Sequence, residues 1–225
     1  MTGQQMHGRE GFHPVWLTKQ RKMLISGGLT VCSVVLALLA RSFPCYLAAI
    51  AMMASSLGDA LLAGYPECFA EVKNKLTKGA FAFFAAHILY ICALLCSYGK
   101  DVPALLPHFV LPFTLFLILT ALHGAVFYSR SGSAVSPAFF AAAFFYLLTV
   151  GIHAAASVTV YGQAGGGYLL NSAGAILFYL SDATLLARRY GAIRGKYITA
   201  LIWLTYIPAQ FCLMLGIYLM RTVPA

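Results

Sequence analysis

Seven stretches of this sequence are too long and too apolar to fold in water, and only short polar links separate them. They cover roughly 23–40, 42–64, 79–98, 108–128, 137–161, 168–187 and 198–220. About 20 apolar residues cross a hydrocarbon core as a helix, where no water is present to satisfy a backbone N–H or C=O. A soluble domain needs about a quarter of its residues charged. Here 9% are charged and 61% are hydrophobic. The expected fold is all-α: a single polytopic membrane helix bundle over 23–225, behind a polar basic tail over 1–22. That tail has no short apolar stretch before a small-residue cleavage site, so no signal peptide is read in it.

The formal charge of +9 does not point to nucleic acid. The basic residues stand between the apolar stretches, where they act as sidedness signals, and do not gather on one polar face. Twelve of them share the side of the N-terminus: Arg9, Lys19, Arg21, Lys22, Lys73, Lys75, Lys78, Arg130, Arg188, Arg189, Arg194 and Lys196. Only Arg41, Lys100 and Arg221 fall on the other side. Basic loops stay in the cytoplasm, so the N-terminus is expected there and the C-terminus across the membrane. That orientation is opposite to a rhodopsin-like receptor. Of the six cysteines, five lie in apolar stretches and none has metal-ligand spacing, so they read as packing residues. Gly165-Gly166-Gly167 lacks the Lys-Ser or Lys-Thr of a phosphate loop and reads as a turn.

Two residues do not belong in hydrocarbon. Asp59 and Asp182 lie inside apolar stretches, where an ionisable group is a functional candidate by default. Apolar surroundings favour the neutral acid over the carboxylate. Asp59 comes six residues before Tyr65, and Asp182 six before Arg188, each at a cytoplasmic span end. Both are therefore about 9 Å below the boundary, level with each other. His87 and His123 come to about 12 Å and 8 Å by the same count. Tyr90 shares the His87 face, and Gln210 lies one turn beyond Tyr206 on span seven. His153 falls in the outer half of span five and is expected to stand apart. Each of these groups also has a purely structural reading, an interhelical hydrogen bond.

Four segments around these residues resemble the YhhN-type lysoplasmalogenase family. They are Ser56-Leu57-Gly58-Asp59-Ala60-Leu61-Leu62, the run from Lys78-Gly79 through His87-Ile88-Leu89-Tyr90, the run from Gly174-Ala175 through Ser181-Asp182, and Tyr206-Ile207-Pro208-Ala209-Gln210. Tyr146 also fits a family tyrosine. The likeness covers roughly residues 40–220. It implies an eight-span bundle, of which this chain reads as lacking the first span. It also implies hydrolysis of the vinyl ether bond of lysoplasmalogens to a fatty aldehyde and glycerophosphoethanolamine or glycerophosphocholine. The membrane expected is the endoplasmic reticulum of a eukaryotic cell or the inner membrane of a bacterium.

Vinyl ether hydrolysis needs a proton donor and a negative group beside the oxocarbenium ion. Two carboxyls sharing one proton supply both, and the same charge logic serves glycosidases. Asp59 and Asp182 are the expected acid–base pair, with no metal and no cofactor required. His87, Tyr90, Tyr206 and Gln210 are expected to position substrate or water. Lys78, Arg188 and Arg189, at headgroup level, are candidates to hold the phosphate of a lysophospholipid drawn from the bilayer. Two other classes compete: a proton-coupled transporter built on an Asp/His relay, and a metal-dependent lipid hydrolase using His87, His123 and the acids. Against the first, no internal repeat relates the halves. Against the second, no pair of ligands has a familiar local spacing.

Cysteine-accessibility labelling tests the orientation. Single cysteines in the 188–197 link are expected to react only from the cytoplasm, and labelling from the far side reverses the assignment.

Overall fold

A computed structural model describes residues 18–99, 101–131, 136–189, 192–195 and 197–220. Most of the expected tail (residues 1–17) lies outside the described residues, as do Lys100, Lys196 and Arg221 of the charge count. Among the described residues there are seven long helices and no strand: α1 (Lys19–Ala40), α2 (Phe43–Ala63), α3 (Lys75–Tyr98), α4 (Leu106–Ser131), α5 (Pro137–Ala164), α6 (Tyr168–Arg189) and α7 (Ile198–Met220). All seven are long and apolar enough to cross a membrane. The protein is a polytopic membrane helix bundle.

Local chemistry sets most helix ends. Thr18 Oγ1 accepts from Arg21 N–H, so α1 starts at Lys19 and takes in Lys22, which the sequence reading had left in the tail. A long basic side chain can run along apolar surface while its charge reaches water. Gly64 and Gly99, both at positive φ, close α2 and α3. Ser136 caps α5, and Pro137 follows at its first position.

The bundle is inverted relative to a soluble protein. Leu24, Leu39, Phe81 and Leu111 point outward, while Ser55, His87, His153, Asn171 and Gln210 are wholly buried. Lipid is as apolar as leucine, so the helices associate through close packing and polar contacts. Gly58 of α2 lies against the Phe83 ring of α3, where a Cβ would come within 2.7 Å of the ring. Gly174 of α6 lies against the α7 backbone: a Cβ there would stand 2.9 Å from both Ala209 O and Leu213 N. Polar bonds tie α6 to α5 and to α4. Ser157 Oγ donates to Asn171 Oδ1 between α5 and α6 at 2.8 Å, and Thr120 meets Tyr179 OH between α4 and α6 at 3.1 Å.

Gly174→Ala is expected to force α6 from α7 and cost about 1–3 kcal/mol, the usual penalty of overpacking. Gly27→Ala is the control, since a Cβ at Gly27 meets nothing within 4 Å. Thermal unfolding in detergent compares them; equal midpoints would remove the close α6–α7 approach from the account.

Candidate functional site

Asp59 and Asp182 reach the interior because small residues flank them on tightly packed helices. Ser55 is buried one turn before Asp59, and Ser181, beside Asp182, donates to Ile202 O of α7 at 3.1 Å. Asp59 Oδ2 accepts from Ser26 Oγ of α1 at 2.6 Å and from Tyr206 OH of α7 at 2.8 Å. Ser26 in turn lies 2.8 Å from Ser56 Oγ. On the other side Gln210 Nε2 donates to Tyr206 OH at 2.8 Å, and Tyr90 OH donates to Gln210 Oε1 at 3.3 Å. The result is a buried string, Tyr90–Gln210–Tyr206–Asp59–Ser26, in which the Tyr206 and Ser26 hydroxyls meet on one carboxylate oxygen.

Asp182 is held by a different residue. Tyr146 OH of α5 donates to its Oδ2. Asp182 feels the charge of Asp59, and Tyr146 and Tyr206 each feel both carboxyls. The two acids and the two phenols thus share one interior region. An aromatic wall continues it. Phe178, one turn before Asp182, meets the rings of Tyr206 at 5.3 Å, Phe83 at 6.1 Å and His87 at 4.5 Å, each edge to face.

The histidines divide. His87 Nδ1 lies 3.0 Å from His153 Nδ1, and the His153 ring stacks on Tyr90 at 5.7 Å. His153 was expected to stand apart, and here that expectation is corrected. Its depth was counted from the start of α5, a helix of 28 residues. That is about 42 Å of helix across roughly 30 Å of hydrocarbon, so its first turns do not mark the boundary. A bond between two Nδ1 atoms requires one ring to donate and the other to accept, so at least one is neutral at Nδ1. Neither Nε2 has a hydrogen-bond partner among the described residues. His123 lies elsewhere: it stacks on Phe127 at 6.4 Å and lines a small apolar pocket with Phe140 and Phe144. Among the described residues no three His, Cys, Asp or Glu side chains group so as to hold a metal ion.

Of the three expected headgroup cations, Lys78 and Arg189 are exposed and Arg188 is half-buried. Sequence reasoning missed Ser26. It is one of three hydroxyls in span one, with Thr30 and Ser33, and no local signal separates it from them. Tyr146 entered only through the family likeness, because nothing in span five marks one tyrosine among its aromatics.

A model of the YhhN family matches residues 18–217. None of the curated proteins and none of the solved structures matches the chain.

His153→Phe keeps a ring against Tyr90 but strands His87 Nδ1, and is expected to cost about 1–3 kcal/mol. His123→Phe, which breaks no hydrogen bond recorded for that ring, is expected to be near neutral. Unfolding midpoints of the two variants in detergent check the contrast, and a reversed order would show that the His87–His153 bond carries no weight.

Proposed function

The chain belongs to the YhhN family, and from that premise we propose that it hydrolyses the vinyl ether bond of lysoplasmalogens within the bilayer. The observation that carries the reading is the pair Asp59 and Asp182. Both are buried in apolar helices, each is held by a tyrosine hydroxyl, and the charge of Asp59 reaches Asp182. Two carboxyls so placed do not readily ionise together, so they share a proton.

The chemistry then follows. The neutral carboxyl gives its proton to the β-carbon of the vinyl ether, and the double bond's electrons form the new C–H bond. Positive charge spreads over the α-carbon and the ether oxygen. The carboxylate faces that cation and takes a proton from the water that attacks it. The hemiacetal collapses to aldehyde and glycerol hydroxyl, with one water consumed. Asp59 Oδ2 accepts two hydroxyl donors and Asp182 one, so Asp59 is the better seat for the negative charge and Asp182 the better proton donor. Tyr206 and Gln210 orient Asp59, and Tyr90 anchors Gln210. The wall of Phe83, Phe178 and Tyr206 excludes bulk water and takes the start of the hydrocarbon chain. His87, paired with His153 behind Phe178, supports that wall.

A second reading has one observation in its favour. The polar string runs inward from Asp59 to Tyr90, which stacks on His153, and a proton-coupled transporter would use such a path. The two differ at once in assay: purified hydrolase releases aldehyde in detergent, and a transporter does not.

Asp59→Asn and Asp182→Asn are each expected to lower aldehyde release about 10²–10⁴-fold per folded molecule. Asn keeps size and hydrogen bonding, and an interhelical polar contact averages only about 0.6 kcal/mol. Melting temperature should therefore barely move. Either variant retaining more than roughly a tenth of wild-type turnover would break the acid–base assignment.

A further inference from the structure

Lys22 is the cation that neither the acid–base pair nor the expected headgroup residues used. Its Nζ lies 4.7 Å from the centre of the Trp203 ring, on the first turn of α1 beside the start of α7. It feels the charges of Arg188, Asp59 and Lys19. A ring face attracts an ammonium but leaves its N–H donors open. No hydrogen bond or ion pair engages the side chain of Lys22 or Arg188 among the described residues. Lys22 and Arg188 stand on separate helices above the two acids, and Asp59, already bonded by Ser26 and Tyr206, is a carboxylate whose charge reaches Lys22. One buried carboxyl does not offset two cations, and an anion seated between them would.

The anion's distance from the acids follows from the helix. Lys22 stands four residues, about 6 Å, above Ser26, whose hydroxyl bonds Asp59. Arg188 stands six residues, about 9 Å, above Asp182 on α6. In a lysoplasmalogen the vinyl ether oxygen and the phosphorus are separated by five single bonds of about 1.5 Å, roughly 6 Å when extended. One glycerol backbone spans the interval between the cations and the acids.

We propose that Lys22 and Arg188, with Lys22 braced on Trp203, form the seat for the phosphodiester of a lysophospholipid and set the depth at which its sn-1 linkage meets Asp59 and Asp182. The assignment rests on the hydrolytic reading above and names its specificity device. It replaces Lys78 and Arg189, both exposed, as the partners of Arg188. A lipid lacking the phosphate has no anchor at this level and slides along the apolar wall.

The test is equilibrium binding to the full chain in detergent, with two radiolabelled, hydrolysis-resistant lipids: a 1-O-alkyl lysophosphatidylcholine and the matching 1-O-alkylglycerol, which has no phosphate. Wild type is expected to favour the phospholipid about tenfold to a hundredfold, the range of a charge-assisted contact. Lys22→Gln should bring phospholipid binding down to the alkylglycerol level and leave alkylglycerol binding unchanged. Lys22→Arg should restore most of the preference. Equal binding of both lipids by wild type, or equal loss for both in Lys22→Gln at an unchanged melting temperature, overturns the site. Displacement of the phospholipid by an equal concentration of inorganic phosphate reassigns it to the free anion and likewise overturns the lipid proposal. Because this measurement involves no turnover, phosphate-selective binding without aldehyde release would sink the hydrolytic reading and leave the seat standing.

Discussion

A carboxyl group surrounded by hydrocarbon must find its partners within the chain, and most of what is particular about this bundle follows from that requirement at Asp59. One oxygen of that side chain draws Ser26 from α1 and Tyr206 from α7 onto α2. Two consecutive helices and the last helix of the chain are thereby pinned together. Tyr206 is fixed in turn by Gln210, and Gln210 by Tyr90 from α3. In water each of these bonds would compete with solvent. In the membrane interior the alternative is an unsatisfied polar group, so the network specifies helix position as well as stabilising it.

The second acid shows the same economy with different helices. Asp182 takes its donor from Tyr146 of α5, and Ser181 beside it bonds the α7 backbone. Close backbone approach makes this geometry available. Gly58 admits the Phe83 ring between α2 and α3, and Gly174 lets α6 and α7 touch. Phe83 and Phe178 meet beside Tyr206, so the packing that holds the helices together also supplies the apolar surface next to both carboxyls. Structure and chemistry here use the same side chains, and for that reason conservative replacements such as Asp→Asn are needed to separate them.

Charge at the basic end extends this logic outward. Lys22 over Trp203 and Arg188 at the end of α6 place positive charge one to two turns above the acids. A polar lipid has its own vertical order, with phosphate above glycerol above linkage above chain. The protein repeats that order as cation, serine, carboxyl and aromatic wall.

Membrane residence and helix number were legible in the sequence, because each depends on local quantities: run length and the polar links between runs. Tyr206 and Gln210 were legible for the same reason, lying one turn apart on one face. The partners were not. Ser26, Lys22 and Tyr146 carry no local mark that separates them from other hydroxyls, lysines and aromatics, and His153 was placed too far out because a helix longer than the membrane has no fixed boundary to count from. A one-dimensional pattern determines how deep a residue sits and which way its face turns. Which faces meet is decided by the packing of seven helices against one another, where a missing Cβ at Gly174 or one hydroxyl at Ser26 selects the neighbour. Such contacts join residues far apart in the chain, so only the tertiary structure holds them.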